Sequence, residues 1–229
     1  MGEDACYHVN HVPISFQESV TDLGVCVDKK LEFHQHISNI VHKAGGVPTS
    51  ILRTTINQQD SFMLPLFTTH VHPLLEYASS VWNLGFVGDV RQLESVQRRW
   101  TREIHGLEGL DYSQRLRTLN LYSIKGRLIR HDFIKYWQIF YDHSAITHDD
   151  LFPRPLLSNT RGHDYKIAHT GTQLVVRKRY FSLRCVDLWN GLPAELVNCG
   201  NINKFKQGLA VHLGDLLFTY FARWIVLTP

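Results

Sequence analysis

The stretch 93–122, LESVQRRWTREIHGLEGLDYSQRLRTLNLY, constrains the fold most, because it combines helical apolar periodicity with dense positive charge. Its apolar side chains recur at the three- and four-residue spacing of a buried helical stripe: Leu93, Val96, Trp100 and Ile104. Arginines repeat on the face turned away from that stripe: Arg91, Arg98 and Arg102. The pattern predicts an amphipathic helix with one packed face and one basic face.

A second, shorter helix is predicted directly after the first. Gly106 and Gly109 bracket the end of the first helix, because glycine favours the backbone conformation in which helices stop. Asp111 and Ser113 are both candidate N-caps for the next helix. Its apolar residues are Leu116 and Leu119. The stretch therefore predicts a basic, amphipathic helix pair.

Charge is concentrated around this pair. The segment 91–135 holds ten Lys or Arg against five Asp or Glu, within a chain of 229 residues whose formal net charge is only +3. Such a local excess is the electrostatic pattern of a surface that meets phosphates. The alternative is a solvated helix face whose arginines pair with nearby acids. A hydrophobic content of 44% is ordinary for a chain that folds around a core.

Nine short motifs follow one another along the chain. They are DLGV at 22–25, FHQHI at 33–37, KA at 43–44, LEYASSVW at 75–82, VQRR at 96–99, YSQRLRTLNLYSI at 112–124, TRGH at 160–163, WNGLP at 189–193 and INKFK at 202–206. In this order they resemble the polypeptide that follows the catalytic palm in reverse transcriptases of LINE-type non-LTR retrotransposons, in particular the jockey-like lineages. The resemblance spans nearly the whole chain.

The resemblance and the apolar patterns together predict a mainly α (α+β) fold. We expect a multi-helix, thumb-like bundle with a short N-terminal β-hairpin, and a long polar loop before a small C-terminal helical region. The predicted divisions are 1–32 as a remnant of the palm and primer-grip β segment, 33–142 as the thumb-like helical domain, 143–176 as a polar loop or linker, and 177–229 as the C-terminal helical region.

Local sequence patterns predict several individual strands, helices and breaks. Alternation over Tyr7–Phe16 predicts a hairpin around Asn10 and His11, and 22–27 predicts one short strand. The run Gly45-Gly46-Val47-Pro48 predicts a break or kink near Gly46. Helices are expected over 59–82, with a junction at Pro73, over 123–141 and over 203–213. The predicted packing set of 59–82 is Phe62, Leu66, Val71, Leu74, Leu75, Tyr77 and Val81.

Polymerase chemistry is not expected from this chain alone. It needs acidic side chains that hold two divalent metals about 3.5–4 Å apart, and the resemblance implies that the family's palm aspartates lie upstream of DLGV. The pair Asp149-Asp150 lacks flanking apolar strands and is predicted to be a turn or cap feature. No catalytic residue, metal site or cofactor is therefore predicted, and Mg²⁺ belongs only to the full-length family enzyme.

The remaining prediction is a surface that binds RNA and DNA through their backbones, with no small-molecule substrate and no membrane. The predicted nucleic-acid-binding residues are Arg91, Arg98, Arg99, Arg102, Arg127, Arg130, Lys135 and Arg179. Tyr180 and Phe181 are candidates for base stacking, although the core is the favoured place for them and for Trp82, Trp100, Trp137 and Trp189. The competing function is a non-catalytic helical interaction module, decayed or adopted by a host, with no nucleic-acid role. The sequence leaves the oligomeric state open.

Histidines and cysteines do not form a recognisable metal motif. His34 and His36, like His70 and His72, stand two residues apart, which directs them to different helix faces. The four cysteines are widely spaced and are expected to be reduced thiols. We expect an intracellular protein of the nucleus or cytoplasm, and not a secreted one, because Met1–Asn10 shows no charged-then-apolar leader. No transmembrane segment is expected, because the apolar tail 216–227 is too short to cross a bilayer.

Overall fold

The computed structural model describes residues 7–10, 12–54, 59–141, 148–152, 162–169, 171 and 173–219. The fold is mostly helical with short antiparallel hairpins at its N-terminal end, as predicted. The strands are β1 (Tyr7–Val9), β2 (Val12–Ile14), β3 (Ser19–Asp22) and β4 (Val25–Asp28). The helices are α1 (His34–Thr54), α2 (Asp60–His70), α3 (His72–Glu76), α4 (Ser79–Trp82), α5 (Val87–Arg102), α6 (Tyr112–Thr118), α7 (Ile124–Tyr141), α8 (His148–Leu151), α9 (Val175–Lys178), α10 (Phe181–Arg184), α11 (Val186–Asn190), α12 (Ala194–Val197) and α13 (Ile202–Leu213), followed by a 3₁₀ turn at Gly214–Leu217.

Two separate hairpins open the described part of the chain. β1 pairs with β2, with Tyr7 opposite Ile14, which confirms the hairpin predicted around Asn10; His11 lies outside the described residues. The single strand predicted over 22–27 is wrong. Leu23 and Gly24 both have positive φ, 45° and 82°, and turn the chain back on itself. This is the primed turn that suits the twist of a two-residue hairpin, so β3 and β4 pair across it.

The break predicted near Gly46 is also wrong. α1 runs unbroken from His34 to Thr54. A proline removes one backbone donor and the glycines lower helix propensity, but both are local costs. Ile37 and Ala44 are fully buried in the core on the same helix, so tertiary packing outweighs those costs.

The predicted helical region 59–82 is three helices, and the junction expected at Pro73 is confirmed between α2 and α3. Its predicted packing set is partly wrong. Val71 and Leu75 are buried, whereas four members are exposed: Phe62, Leu74, Tyr77 and Val81. Their places in the core are taken by Met63, Phe67 and Trp82. The breaks between the helices reset the helical phase, so one continuous period could not give the buried face.

Two apolar clusters hold the fold together, and α7 belongs to both. Leu128, in its first half, packs with α1, α5 and α6, whereas Phe133 and Trp137 pack with the C-terminal helices. The tryptophans predicted for the core are there: Trp82, Trp100, Trp137 and Trp189. The described part of the tail also packs, because Leu217 is buried and its carbonyl accepts the Ser123 N–H at 2.8 Å. The proposed domain boundaries stay predictions.

The C-terminal part matches the expectation of short helices after a polar connection. α13 confirms the helix predicted over 203–213, and α8 lies inside the polar connection with Asp149 and Asp150 exposed on it. Cys26, Cys185 and Cys199 are free thiols, and Cys6 lies outside the described residues. Across the ranges given above, no helix has both the length and the apolar content needed to cross a membrane.

The contact between α7 and the tail predicts an unusual response to alanine at Gly126. A Cβ there would lie 2.5 Å from the backbone oxygen of Leu217 and 2.8 Å from its Cα. Because backbone must move to make room, we expect Gly126→Ala to destabilise the fold by about 1–3 kcal/mol. Gly45→Ala is the control, since a Cβ at that helical position meets nothing within 4 Å. It should stabilise by roughly 0.5–1 kcal/mol in the same urea titration. Equal effects would contradict the packing.

Candidate nucleic-acid interface

The candidate surface is the solvent-facing side of α5, and the predicted buried stripe fixes its orientation. Leu93, Val96, Trp100 and Ile104 are all at most 5% exposed. With 100° of rotation per residue, Arg91, Arg98 and Arg102 lie within about 40° of one another on the opposite side, and Arg91 and Arg102 are about 16 Å apart along the axis. We call the residues Arg91, Arg98, Arg99 and Arg102 the α5 basic face.

Three members of the α5 basic face are open to solvent. Arg91, Arg99 and Arg102 are exposed. Within the described ranges, none of the hydrogen bonds or ion pairs uses their side chains. Their guanidinium groups therefore remain available for phosphate oxygens, which a planar fork of N–H donors suits well.

Arg98 has a different position from the other three. Its side chain is half-buried, and its guanidinium lies over the ring of Tyr112, 4.8 Å from the ring centre. Arg115 approaches the same ring at 5.8 Å, is buried, and donates to the Leu110 carbonyl at 2.7 Å. Burial, and then the neighbouring charge of Arg102, lower the pKa of Arg115. Arg98 thus joins the basic face to α6, and the buried Arg115 adds positive potential below it.

Asp111 supplies the local structure that places α6 beside this face. Its side chain accepts from the backbone N–H of Gln114 at 2.9 Å, and the Gln114 side chain accepts from the backbone N–H of Asp111 at 2.9 Å. This is a capping box, and it selects Asp111 over Ser113 as the N-cap. Gly106 and Gly109, with φ of 83° and 81°, make the turns between α5 and α6.

A buried polar network lies under the α5 basic face and was not anticipated from the sequence. Glu94 is 1% exposed and Gln97 is fully buried. One Glu94 oxygen accepts from the Tyr112 hydroxyl and the other from the Lys125 backbone N–H at 2.9 Å. The Gln97 amide donates to the Tyr112 oxygen at 3.1 Å and to the Tyr122 carbonyl at 2.9 Å. The network therefore ties α5 to α6 and to the start of α7.

His72 completes this network from α3. Because the Gln97 amide nitrogen already donates twice, its oxygen is the acceptor for His72 Nε2 at 2.9 Å. His72 Nε2 therefore carries a proton, and the lowered pKa given next makes the imidazole neutral at pH 7. Burial lowers the pKa of His72 to about 4, and burial raises the pKa of Glu94. The sequence did carry a signal for this network. Glu94 and Gln97 fall beside the apolar stripe, where a helix that packs against a core usually has apolar side chains.

The remaining predicted contact residues do not extend the basic face along α7. Arg127 forms a two-pronged ion pair with Glu76, whose Oε2 is 3.0 Å from Arg127 Nη2. Arg130 is half-buried and only Lys135 is exposed. Of the predicted contact residues Arg127, Arg130 and Lys135, only Lys135 therefore lies on an open face, because α7 lies between the two apolar clusters.

Arg179 is also committed within the fold. Its guanidinium donates to the carbonyls of Leu84 and Gly85, both at 3.2 Å, and lies over the Phe86 ring at 4.8 Å. Phe181 is buried, as the favoured prediction had it, while Tyr180 is 46% exposed. Arg179 therefore helps to fix the loop before α5.

The described ranges hold no candidate metal-binding cluster beside these cations. No group of three or more His, Cys, Asp or Glu there is arranged to hold a metal ion. His34 bonds Asp89 at 2.8 Å, whereas His36 is buried and its Nδ1 accepts from the Cys26 backbone N–H at 3.3 Å. Within the described part of the chain, the arrangement offers an exposed cationic surface on α5.

Comparison with known proteins adds one relative. The chain is 27% identical over 143 residues to an uncharacterized protein of Caenorhabditis elegans, an overlap of 58% of this chain and 72% of that protein. No protein-family model matches the chain. No solved structure matches it either. The relative's name states no activity, so these comparisons bring no function to the chain.

Proposed function

We propose that this chain is the thumb and post-thumb part of a non-LTR retrotransposon reverse transcriptase. In this proposal the chain binds RNA and DNA backbones through the α5 basic face, and the resemblance assigns the family's catalytic aspartates to the palm that precedes this region. The observation that supports the proposal best is the exposure of Arg91, Arg99 and Arg102 on one side of a helix whose other side is buried. The nine ordered motifs support the family part of it.

Binding at such a face would be electrostatic and indifferent to sequence. Three guanidinium groups on one rigid helix can contact successive phosphates, and phosphate contacts carry no direct sequence information. Each neutralised phosphate releases condensed counterions, so affinity falls with salt. The buried Glu94–Gln97–Tyr112 network fixes α5 against α6, so the helix that carries the cations does not have to be ordered when the strand binds.

The test is filter binding of single-stranded RNA and of an RNA–DNA duplex over a salt series from 50 to 200 mM. Arg91→Ala/Arg99→Ala/Arg102→Ala should lower the slope of log affinity against log salt by about 2.7 on the duplex, from three lost contacts. Between 50 and 200 mM salt, this difference in slope means that the wild type loses roughly 40-fold more affinity than the triple variant. The matched control is Lys30→Ala/Lys178→Ala/Lys204→Ala, which removes three exposed cations from separate elements. It should leave most of the slope intact.

The competing function is a helical interaction module with no nucleic-acid role. The four exposed apolar side chains of α2–α4 and their junctions favour it: Phe62, Leu74, Tyr77 and Val81. No measurable binding to either nucleic acid at 50 mM salt would support this second function. Equal slopes for the two triple variants would show that binding depends on net charge alone and would remove the α5 basic face from the proposal.

A further inference from the structure

The hairpin formed by β3 and β4 has one open edge, and its hydrogen-bond register can be worked out. The two-residue turn makes Asp22 and Val25 a hydrogen-bonded pair, so the bonded pairs recur every second residue. The backbone bond from Lys29 N–H to the Glu18 carbonyl at 3.1 Å fits this register. Ser19 and Thr21 are then non-bonded positions, whose N–H and C=O groups point outward from β3.

Two outward backbone groups on the opposite edge of the hairpin have partners, which fits this register. Cys26 and Asp28 are the outward-facing positions of β4. The Cys26 N–H donates to His36 Nδ1 at 3.3 Å, and the Asp28 carbonyl accepts from the Leu31 N–H at 3.0 Å. The core side of the hairpin is therefore closed by α1 and the loop before it.

The β3 edge has no such partner among the described residues. All four residues of β3 are exposed, and none of the hydrogen bonds of the described chain uses the outward groups of Ser19 or Thr21. Val20 is 59% exposed at its centre. An exposed strand of this kind, with no proline or lysine to block it, is a template for pairing with another strand.

We propose that the outer edge of β3 docks an extended peptide strand of a partner protein by strand addition, with an apolar residue opposite Val20 and a cationic residue opposite Asp22. Strand addition takes its affinity from main-chain hydrogen bonds and its specificity from alternate side chains. Glu18, Val20 and Asp22 share one face of the hairpin, and the Glu18 carboxylate already binds Lys29 at 2.7 Å. Asp22 is the exposed carboxylate that a lysine or arginine of the added strand would meet.

The same charges disfavour one way of pairing with a second copy of this chain. A two-fold pairing of two β3 edges centred on Val20 would place Asp22 directly opposite the Glu18 of the other copy. Like charges at opposed positions destabilise a strand pair. An extended segment of a different polypeptide that carries positive charge meets Asp22 without this repulsion and is the partner we expect.

The probe is a fluorescent peptide that contains Lys-Thr-Val-Thr-Lys between two serines, titrated against the whole chain. We expect saturable binding, with the amide NMR signals of Ser19 and Thr21 shifted and the Cys26 amide unchanged. N-methylation of both peptide threonines removes the donors to β3 and should weaken binding by about tenfold or more. A scrambled peptide with adjacent lysines controls for charge alone, and it should bind more weakly than the alternating peptide.

Two variants test the edge from the protein side. Thr21→Pro removes an outward N–H that the β4 ladder does not use, so the hairpin should persist while peptide binding falls. Val20→Lys should weaken binding of the alternating peptide, because it adds a positive charge that repels the peptide's lysines. Three results would each overturn the proposal: no binding of the alternating peptide, equal binding of the N-methylated or scrambled peptide, or a wild-type dimer that Val20→Lys converts to monomer. The dimer result would show that the β3 edge pairs with a second copy of this chain.

Discussion

Replacing Asp132 with asparagine is expected to cost about 3–5 kcal/mol of unfolding free energy, because it leaves a buried arginine without its counter-charge. Asp132 is 1% exposed, and its two oxygens bind Arg184 Nη2 at 2.6 Å and Nε at 2.8 Å. Arg184 also donates to the Ser79 carbonyl at 3.3 Å. Burial alone lowers the pKa of Arg184, but the Asp132 carboxylate more than offsets it and the net shift is upward. Asparagine removes that offset, but a guanidinium resists deprotonation even when it is buried, so Arg184 would stay charged in the variant.

Asp215→Asn is the matched control for this prediction. Asp215 pairs with Arg117 at 3.4 Å, but the two side chains are 81% and 47% exposed. The same substitution there should change stability by less than about 1 kcal/mol, because water screens the pair and solvates each charge. Urea titrations of both variants give the comparison, and a loss at Asp132 no larger than the loss at Asp215 would contradict the buried pair.

A double replacement distinguishes the charge from the shape of the site. Asp132→Leu with Arg184→Met removes both charges and keeps an apolar filling, so we expect it to recover most of the stability lost by Asp132→Asn. Recovery would assign the loss to the uncompensated guanidinium. A double variant as unstable as the single one would assign it to packing around Cys185, whose thiol lies 3.6 Å from Asp132 Oδ2.

The stripe of α5 could be predicted from the sequence because it depends only on spacing within one helix. Leu93 and Trp100 repeat with the helical period and no break intervenes. The packing face of α2–α4 could not be predicted in the same way. Val71 ends one helix and Tyr77 ends the next, so each helix has its own phase. Periodicity is informative only between such breaks.

The roles of the arginines depended on partners far away in the chain, which no local pattern reveals. Arg91 and Arg102 stayed on the surface as their spacing predicted, whereas Arg127 pairs with Glu76 across 51 residues and Arg179 binds the carbonyl of Leu84 across 95 residues. A basic residue on the outer face of one helix can still be buried by another element. The sequence alone therefore overestimated the extent of the basic surface.

Acid should destabilise the fold through His72, and this is the second large effect that we expect. Its ring is 1% exposed and lies 4.8 Å from the ring of Phe67, and its pKa is lowered to about 4 by burial and then by Arg127. The unfolded chain keeps the ordinary pKa of about 6.5. Folding thus favours the neutral form of His72. The contribution of this residue to the free energy of unfolding is fully present above pH 6.5 and is lost as the pH falls toward 4. At about 1.4 kcal/mol per pH unit, the loss over this window is about 3 kcal/mol.

His72→Gln isolates this contribution, because glutamine can still donate to the Gln97 oxygen but does not titrate. Burial also lowers the pKa of His36, His131 and His163, so some acid sensitivity should remain in the variant. We expect the difference in unfolding free energy between pH 7 and pH 4 to shrink by about 3 kcal/mol relative to the wild type. His212→Gln, at an exposed position, should leave that difference unchanged. If His72→Gln behaves like His212→Gln, then the buried imidazole does not set the acid response, and the neutral His72–Gln97 hydrogen bond is not the form that folding selects.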